Sequence, residues 1–288
     1  MSVMGLTQSL AGEIAQRIVS EPVRKKRLDV LLAERGLFES RTRAAASVMA
    51  GEISVGSDGR RAAKPGELVA DDVLVHVRER PAYVSRGGTK LANALAATGL
   101  PVAGRVALDI GVSTGGFTDC LLQHDVAAVI AVDVGYGDIH LRLRDDPRVR
   151  LLERTNARTL TPEGLPAVPD LAVIDVSFIS LRKVLPAVLN CMAERHDVLA
   201  MVKPQFEVGR ERIGKGGVVR DPEARRSALV DVGAFALEHN EAVLGYYSSG
   251  LPGPKGNRET FVWLAEHGRA GAAGDREEIE RMAQEVDS

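Results

Sequence analysis

Val106-Ala107-Leu108-Asp109-Ile110-Gly111-Val112-Ser113-Thr114-Gly115-Gly116-Phe117 is a short apolar run that meets an acid and then turns on glycines. It reads as a first parallel strand and the ligand loop behind it. A helical pattern follows in Phe117 to Gln123, and a second apolar strand, Val126 to Val132, ends in Asp133, as a βαβ unit requires. Glycines let the backbone turn sharply and approach a ligand closely. Two cofactors compete for the loop. Gly111 and Gly116 fit the first and third glycines of a dinucleotide fingerprint, with Asp133 roughly 20 residues on, where an acid holds a ribose. The second glycine falls on Ser113, whose Cβ obstructs a pyrophosphate, whereas S-adenosylmethionine (SAM) has no phosphate to admit. The loop therefore favours SAM over NAD. A tight turn without a ligand is the bland alternative, since a lone glycine motif is weak evidence.

Outward from this unit, strands are expected at Val149 to Glu153, Leu171 to Val176 and Val198 to Val202. Helices are expected at Lys90 to Thr98 (capped by Thr89), Leu181 to Met192, and Pro222 to His239, which Asp221-Pro222 starts. Ala242 to Ser248 and Glu259 to Ala265 suit an antiparallel pair at a sheet edge. The fold class is α/β, a doubly wound, Rossmann-like sheet with a reversed terminal strand. Gly268 to Gly274 reads as a flexible hinge before a short acidic helix, in which Ile279, Met282 and Val286 form a weak apolar stripe.

With 288 residues and 45% hydrophobic content, the chain can bury one full core and one small extra domain. No apolar run approaches the roughly 18 residues that cross a bilayer. Met1 to Ser20 lacks a basic start followed by an apolar block, so a cytoplasmic protein with no membrane partner is expected. Leu6, Leu10, Ile14 and Ile18 give Thr7 to Ser20 the spacing of an amphipathic helix, with a flexible extension as the equal alternative. Cys120 and Cys191 provide neither a disulfide framework nor a metal-binding spacing, and no metal is expected. The net charge of -2 argues against a uniformly basic protein but hides local patches.

The first patch is Arg24-Lys25-Lys26-Arg27. Leu28, Leu31 and Leu32 then form an apolar helical face that Gly36 ends, and Ser40 caps a second helix with Arg41 and Arg43 in its first turn. Cations there oppose the helix dipole, and an anion such as phosphate would compensate them. Ile53 and Val55, a turn at Asp58-Gly59, and Val73, Val75 and Val77 give short antiparallel strands. Arg27-Leu28-Asp29, Arg35-Gly36-Leu37, Ser40-Arg41 and the Gly51 to Val55 strand resemble the RNA-binding domain named after ribosomal protein S-four. Glu67, Asp71 and Asp72 make its far side a poor RNA surface. The organisation expected is an extension over 1–23, this small α+β domain over 24–78, a linker over 79–83, the sheet domain over 84–267, and the hinge and helix over 268–288.

Ligands of open α/β sheets bind beyond the carboxyl ends of the strands. Asp133, Asn156, Asp175 and Lys203 each stand where an apolar strand ends. Unpaired burial of Asp175 or Lys203 would be costly, so a mutual pair at one cleft is the economical placement. Between strand five and the next helix, Lys215-Gly216-Gly217 with Arg210, Arg212 and Arg220 forms a flexible basic loop able to meet RNA phosphates, or a plain solvated loop.

Ser85-Arg86-Gly87-Gly88-Thr89-Lys90-Leu91, Asp109 to Phe117, Asp175-Val-Ser-Phe-Ile179, Lys203-Pro-Gln-Phe-Glu207, Gly217 to Pro222 and Gly256-Asn-Arg-Glu259, in this order, resemble the TlyA-type proteins. These are often labelled hemolysins and are similar to FtsJ-like ribose 2'-O-methyltransferases of ribosomal RNA. The resemblance implies SAM as cofactor, cytidine 2'-hydroxyls of 16S and 23S rRNA in ribosomal subunits as substrate, and a catalytic tetrad at Lys90, Asp175, Lys203 and Glu259. A weakly acidic hydroxyl needs its proton removed or its lone pair aimed. Two cations in one cleft disfavour each other's charge, which makes a neutral lysine available as the base. Lys203 is assigned that part, with Lys90 as its electrostatic neighbour. Asp133 is assigned to the SAM ribose, Gly111 to Phe117 (including Ser113, Thr114, Gly115 and Gly116, with Asp109 at the loop's base) to the methionine portion, and Asn156 to the adenine. Arg24 to Arg27, Arg41, Arg43, Arg86 and Lys215 are the RNA-binding candidates, and no obligate protein partner is evident. The family's linker usually carries a tryptophan where Tyr83 stands here. A membrane-active protein, the competing class, would have to insert strongly charged helices. An RNA chaperone with a dead methyltransferase domain is disfavoured because all four tetrad positions are filled.

Overall fold

The computed structural model describes residues 24–78 and 81–286. The Thr7 to Ser20 pattern lies outside the described residues. Two compact units part between Arg80 and Pro81. The first runs β1 (Lys25–Arg27), α1 (Leu28–Glu34), α2 (Arg41–Met49), β2 (Ile53–Val55), β3 (Arg60–Arg61), β4 (Leu68–Ala70) and β5 (Val75–Val77). Leu28, Leu31 and Leu32 of α1 meet Ala44 and Val48 of α2 over Ile53 and Val55. Ser40 starts α2 as expected, its Oγ accepting from the Arg43 N–H at 3.3 Å. The turn at Asp58-Gly59 joins β2 to β3, and β5 pairs with the other edge of β2. Unforeseen is the pairing of β1 with β4, which turns part of the basic run into a strand with Lys25 opposite Ala70 and Arg27 opposite Leu68.

The second unit runs α3 (Arg86–Thr98), β6 (Val106–Ile110), α4 (Gly116–Gln123), β7 (Ala128–Val132), α5 (Leu141–Arg144), β8 (Val149–Leu152), β9 (Leu171–Ile174), α6 (Leu185–Leu189), β10 (Asp197–Val202), α7 (Pro204–Glu207), α8 (Pro222–Glu238), β11 (Glu241–Ser248), β12 (Thr260–Glu266) and α9 (Arg276–Val286). Its sheet has the order β11-β12-β10-β9-β6-β7-β8, and β12 runs antiparallel to both neighbours. The remaining neighbours pair in parallel, which gives the Rossmann-like, doubly wound sheet with a reversed last strand. Alternate residues of the strands enter two apolar clusters, one with Leu91 of α3 and Leu121 of α4, the other with Leu185 of α6, Val232 of α8 and Ile279 of α9. Burial on both faces explains why the central strands are apolar without alternation. No helix among the described residues is long and apolar enough to cross a membrane.

Three expectations shift. The helix expected from Thr89 begins at Arg86, with Ser85 at its cap position. Gly88 within it is a matter of packing, because a Cβ there would lie 2.3 Å from Tyr83 Cβ and 2.9 Å from the Gly116 carbonyl. The helix expected over Leu181 to Met192 divides into a 3-10 turn, Leu181–Lys183, and α6. Pro186 forces the division, since it has no N–H to donate and clashes with a preceding helical turn. Finally, the segment expected as a hinge is anchored at Ala273, which is buried and donates its N–H to the Val243 carbonyl at 2.8 Å.

Candidate active site

The strand order reverses at β6, which lies between β9 and β7, so the crevice for a ligand opens above these carboxyl ends. Two loops nearly touch there. Gly111 has φ +87°, and a Cβ on it would lie 2.4 Å from the Asp175 carbonyl oxygen. Only glycine serves at that position. Ser113 also takes a left-handed φ of 48°. Its N–H donates to Asp133 Oδ2 at 2.7 Å, while the Gly135 N–H donates to Oδ1 at 2.7 Å. Asp133 thus ties the glycine loop to the exit of β7 and keeps further lone pairs for a ligand.

A cavity of about 470 Å³ lies over the loop, lined by Gly111, Ser113, Thr114, Gly116 and Phe117 and closed by Ser85, Arg86, Lys90 and Asp175. A second, of about 450 Å³, is lined by Asp133, Asn156, Val176, Phe178 and Ile179 and shares Gly111, Ser113 and Asp175 with the first. The pair forms one groove with a bare-backbone waist. One half offers a carboxylate and an amide beside apolar walls, which fits a nucleoside; the other offers a lysine and a glycine loop, which fits a short charged chain and an approaching hydroxyl. SAM fits this donor set. Gly115 does not line either cavity, since its side faces Leu143 and Ile139. Asn156 is exposed, with Oδ1 accepting from the Arg158 N–H at 3.1 Å.

Asp109 is placed differently from the other loop residues. It is fully buried beneath the groove, with Oδ2 accepting from Thr118 Oγ1 at 2.6 Å and Oδ1 without a partner. Burial pushes its carboxyl up to about 7 against the lowering bond from Thr118, and the charges of Asp175 and Asp133 add to the rise. The Cys120 thiol, pushed up to about 12 by burial, is a packed residue and no nucleophile.

Lys90, Asp175, Lys203 and Glu259 come together as two ion pairs. Lys203 Nζ lies 2.5 Å from Asp175 Oδ1 and donates to Ser177 Oγ at 2.9 Å. Lys90 Nζ donates to Glu259 Oε2, both side chains being buried. Each lysine therefore has its own carboxylate, rather than two cations simply sharing a cleft. Lys90 stands on the second turn of α3, and Glu259 immediately precedes β12. Arg86 donates to the Pro252 carbonyl and Asn93 to the Ser249 carbonyl at 2.9 Å, which seats the approach to Glu259 on α3. Sequence reasoning missed Ser177 and Phe178. Both lie within three residues after Asp175, so the strand-exit rule that found Asp175 could have reached them.

Lys215 sits at the exposed tip of a small hairpin closed by the Gly214 and Val218 pairing. Buried Asn257 holds that hairpin, accepting from the Val219 N–H at 2.9 Å and donating to the Gly217 carbonyl at 2.8 Å. The loop expected to be flexible is therefore fastened two residues from Glu259. In the first unit, Arg24, Lys25 and Arg43 are exposed, whereas Lys26 pairs with Glu34 at 2.8 Å and Asp71 at 3.3 Å, and Arg27 pairs with Asp29 at 2.8 Å. Arg41 lies 3.6 Å from Asp29. The basic patch is thus partly neutralised from within, and the negative charge expected at Asp71 is compensated too.

Residues 83–266 match the family model of the FtsJ-like methyltransferases. The chain is 49% identical over 244 residues to the 16S/23S rRNA (cytidine-2'-O)-methyltransferase TlyA of Mycobacterium tuberculosis, covering 84% of this chain and 90% of that protein. It is 35% identical over 234 residues to hemolysin A of Brachyspira hyodysenteriae, covering 81% of this chain and 97% of that protein. Among solved structures, a candidate hemolysin from Streptococcus thermophilus superposes with a TM-score of 0.68 at 40% identity, covering 92% of this chain and 96% of that one. Membership implies SAM as the methyl donor. The groove at the β6 switch point, the two lysine–carboxylate pairs that reach it through Lys90 and Asp175, and these likenesses place this chain in the FtsJ-like methyltransferase family, among its TlyA-type members.

Proposed function

We propose that this protein methylates the ribose 2'-hydroxyl of cytidine in ribosomal RNA, 16S, 23S or both, within ribosomal subunits. The observation that carries the reading is the pair of Lys203 with Asp175, the latter lining both halves of the groove, beside the pair of Glu259 with Lys90, the latter lining one half. The M. tuberculosis relative bears the name of this activity. SAM, when bound, supplies a methyl group on a sulfonium, and the residues of this chain prepare the hydroxyl that attacks it. Lys203 Nζ aims the lone pair of the hydroxyl, or takes its proton after passing one of its own to Asp175; Asp175 and Ser177 fix the direction of that nitrogen, and Lys90, held by Glu259, sets the charge beside it. Bound there, SAM would give up its methyl group to the hydroxyl oxygen and leave as S-adenosylhomocysteine.

Asp133 would hold the ribose of SAM, Asn156 the adenine and the Gly111 to Phe117 loop the methionine portion. The first unit, with its likeness to the S-four domain, would bind RNA through Arg24, Lys25, Arg41 and Arg43, joined in the second unit by Arg86 and Lys215. The test is transfer of a radioactive methyl group from SAM to isolated 30S and 50S subunits, followed by mapping of the modified nucleotide. Lys203→Ala should abolish transfer while SAM and subunits still bind, because the residue acts on the hydroxyl and not on either affinity. Retained turnover would refute the role given to Lys203.

A further inference from the structure

Behind Lys203, the two loops that carry the proposed chemistry are fastened to each other a second time. Glu207 ends α7, four residues after Lys203, and its side chain is almost wholly enclosed, at 1% exposure. Oε2 accepts from Ser180 Oγ at 2.6 Å, and Oε1 accepts from the Leu181 N–H at 2.7 Å. Arg182 Nε stands 3.7 Å from Oε2, and its Nη2 reaches the Glu207 carbonyl at 3.4 Å. Between this fastening and the site, Phe206 packs on Phe178 with ring centroids 5.3 Å apart. Contacts therefore run in series from Lys203 with Asp175 and Ser177, through the ring pair, to Glu207 with Ser180 and Leu181. They join the β10 exit to the β9 exit along their length.

We infer that Glu207 is a positioning residue for Lys203: by accepting from Ser180 and Leu181 it fixes the register between the two strand-exit loops, and so the placing of the Lys203 nitrogen against Asp175 and Ser177. The inference rests on the reading of Lys203 given above. A buried carboxylate is a costly way to fill space, and burial raises its carboxyl above the ordinary range, with the bonds from Ser180 and Leu181 opposing the rise. An apolar residue would fill the volume without that cost. What it could not supply is two directed acceptors spanning from one loop to the other. Such a link matters because a misplacement of about 1 Å, arising away from the reacting atoms, can lower a rate about a hundredfold.

The full chain is compared as wild type, Glu207→Ala, Glu207→Gln, Ser180→Ala and Lys203→Ala, measuring methyl transfer to ribosomal subunits, SAM affinity and Tm. Glu207→Ala is expected to lower kcat by about ten- to a hundredfold, with KM for SAM and for subunits within about twofold of wild type. The amide of Glu207→Gln can accept from Leu181 and donate to Ser180 Oγ, so it should restore most of kcat; Ser180→Ala should fall between. A wild-type kcat in Glu207→Ala, a glutamine variant as slow as the alanine one, or losses that follow SAM affinity would each overturn the inference. If Glu207→Ala does not fold, the folded Glu207→Gln and Ser180→Ala decide, and wild-type kcat in Ser180→Ala counts against the link. Turnover in Lys203→Ala would instead refute the role of Lys203, whereas an inactive Lys203→Ala beside unaffected Glu207 and Ser180 variants would refute only the positioning role.

Discussion

Asp109 and Asp133 show how differently two carboxylates near one loop are used. Asp109 lies inside β6 and Asp133 just beyond β7, and both read as cofactor ligands in the sequence. Asp133 lines the groove and receives two backbone N–H groups. Asp109 lies below it, fully buried, with its carboxyl near 7. Between about pH 4 and pH 7 the folded chain holds a proton on Asp109 that an unfolded carboxyl has released, so this group makes stability fall as pH rises through that window. Asp109→Asn keeps an acceptor for Thr118 and cannot ionise. It should remove that slope and raise stability at pH 8 by on the order of 1 to 3 kcal/mol. Parallel Tm curves for variant and wild type from pH 4 to pH 8 would show that the carboxyl does not titrate there. By contrast, Asp133→Ala should weaken SAM binding by about 1.5 to 3 kcal/mol, the cost of a lost charged hydrogen bond, read by calorimetry. Unchanged affinity would move the nucleoside elsewhere in the groove.

At the scale of elements, α8 is placed by a contact that its own sequence does not announce. Gly233 lies in the middle of this 17-residue helix, where alanine would be favoured by about 1 kcal/mol on propensity. A Cβ at Gly233 would stand 2.2 Å from Tyr246 Oη and 3.0 Å from Ile279 Cγ2. Tyr246 is held in place by donating to the Leu229 carbonyl at 2.9 Å, and Ile279 is one of the two buried residues, with Ala283, by which α9 docks. Overpacking of this kind costs about 1 to 3 kcal/mol. Gly233→Ala should therefore destabilise the second unit, by up to about 2 kcal/mol after the propensity gain. Urea denaturation should show a lower midpoint at unchanged slope. A midpoint at or above wild type would mean that α9 yields to the added methyl group.

At the scale of the whole molecule, the sheet, the groove and all four tetrad residues lie after Pro81, and the first unit has its own small core. Deleting residues 1–80 should leave a folded domain that binds SAM with near wild-type affinity and fails to methylate a ribosomal subunit. The reason is electrostatic: each phosphate neutralised by Arg24, Lys25, Arg41 or Arg43 adds to affinity and to its salt dependence. If the truncated chain methylates subunits as fast as the full chain at moderate salt, the first unit is not the RNA anchor. The glycine loop, the main strands of the sheet and the polar exits at Asp175 and Lys203 were legible in the sequence, because apolar runs ended by single polar residues mark strand exits wherever a sheet is buried on both faces, whereas Lys90 and Glu259 were reached only through the family resemblance. What the chain order could not show is which polar groups at those exits meet. Lys90 and Glu259 are 169 positions apart, and only the crossing of α3 with the loop before β12 pairs them. The same holds for Asp109, which lies within β6 and is buried against Thr118 of α4, while Gly111 and Ser113 beyond the strand line the groove. It holds too for the basic run, where antiparallel pairing of β1 with β4 gave Lys26 to Asp71. Local pattern determines which elements form; long-range packing alone determines which charges are desolvated, paired or left to a ligand.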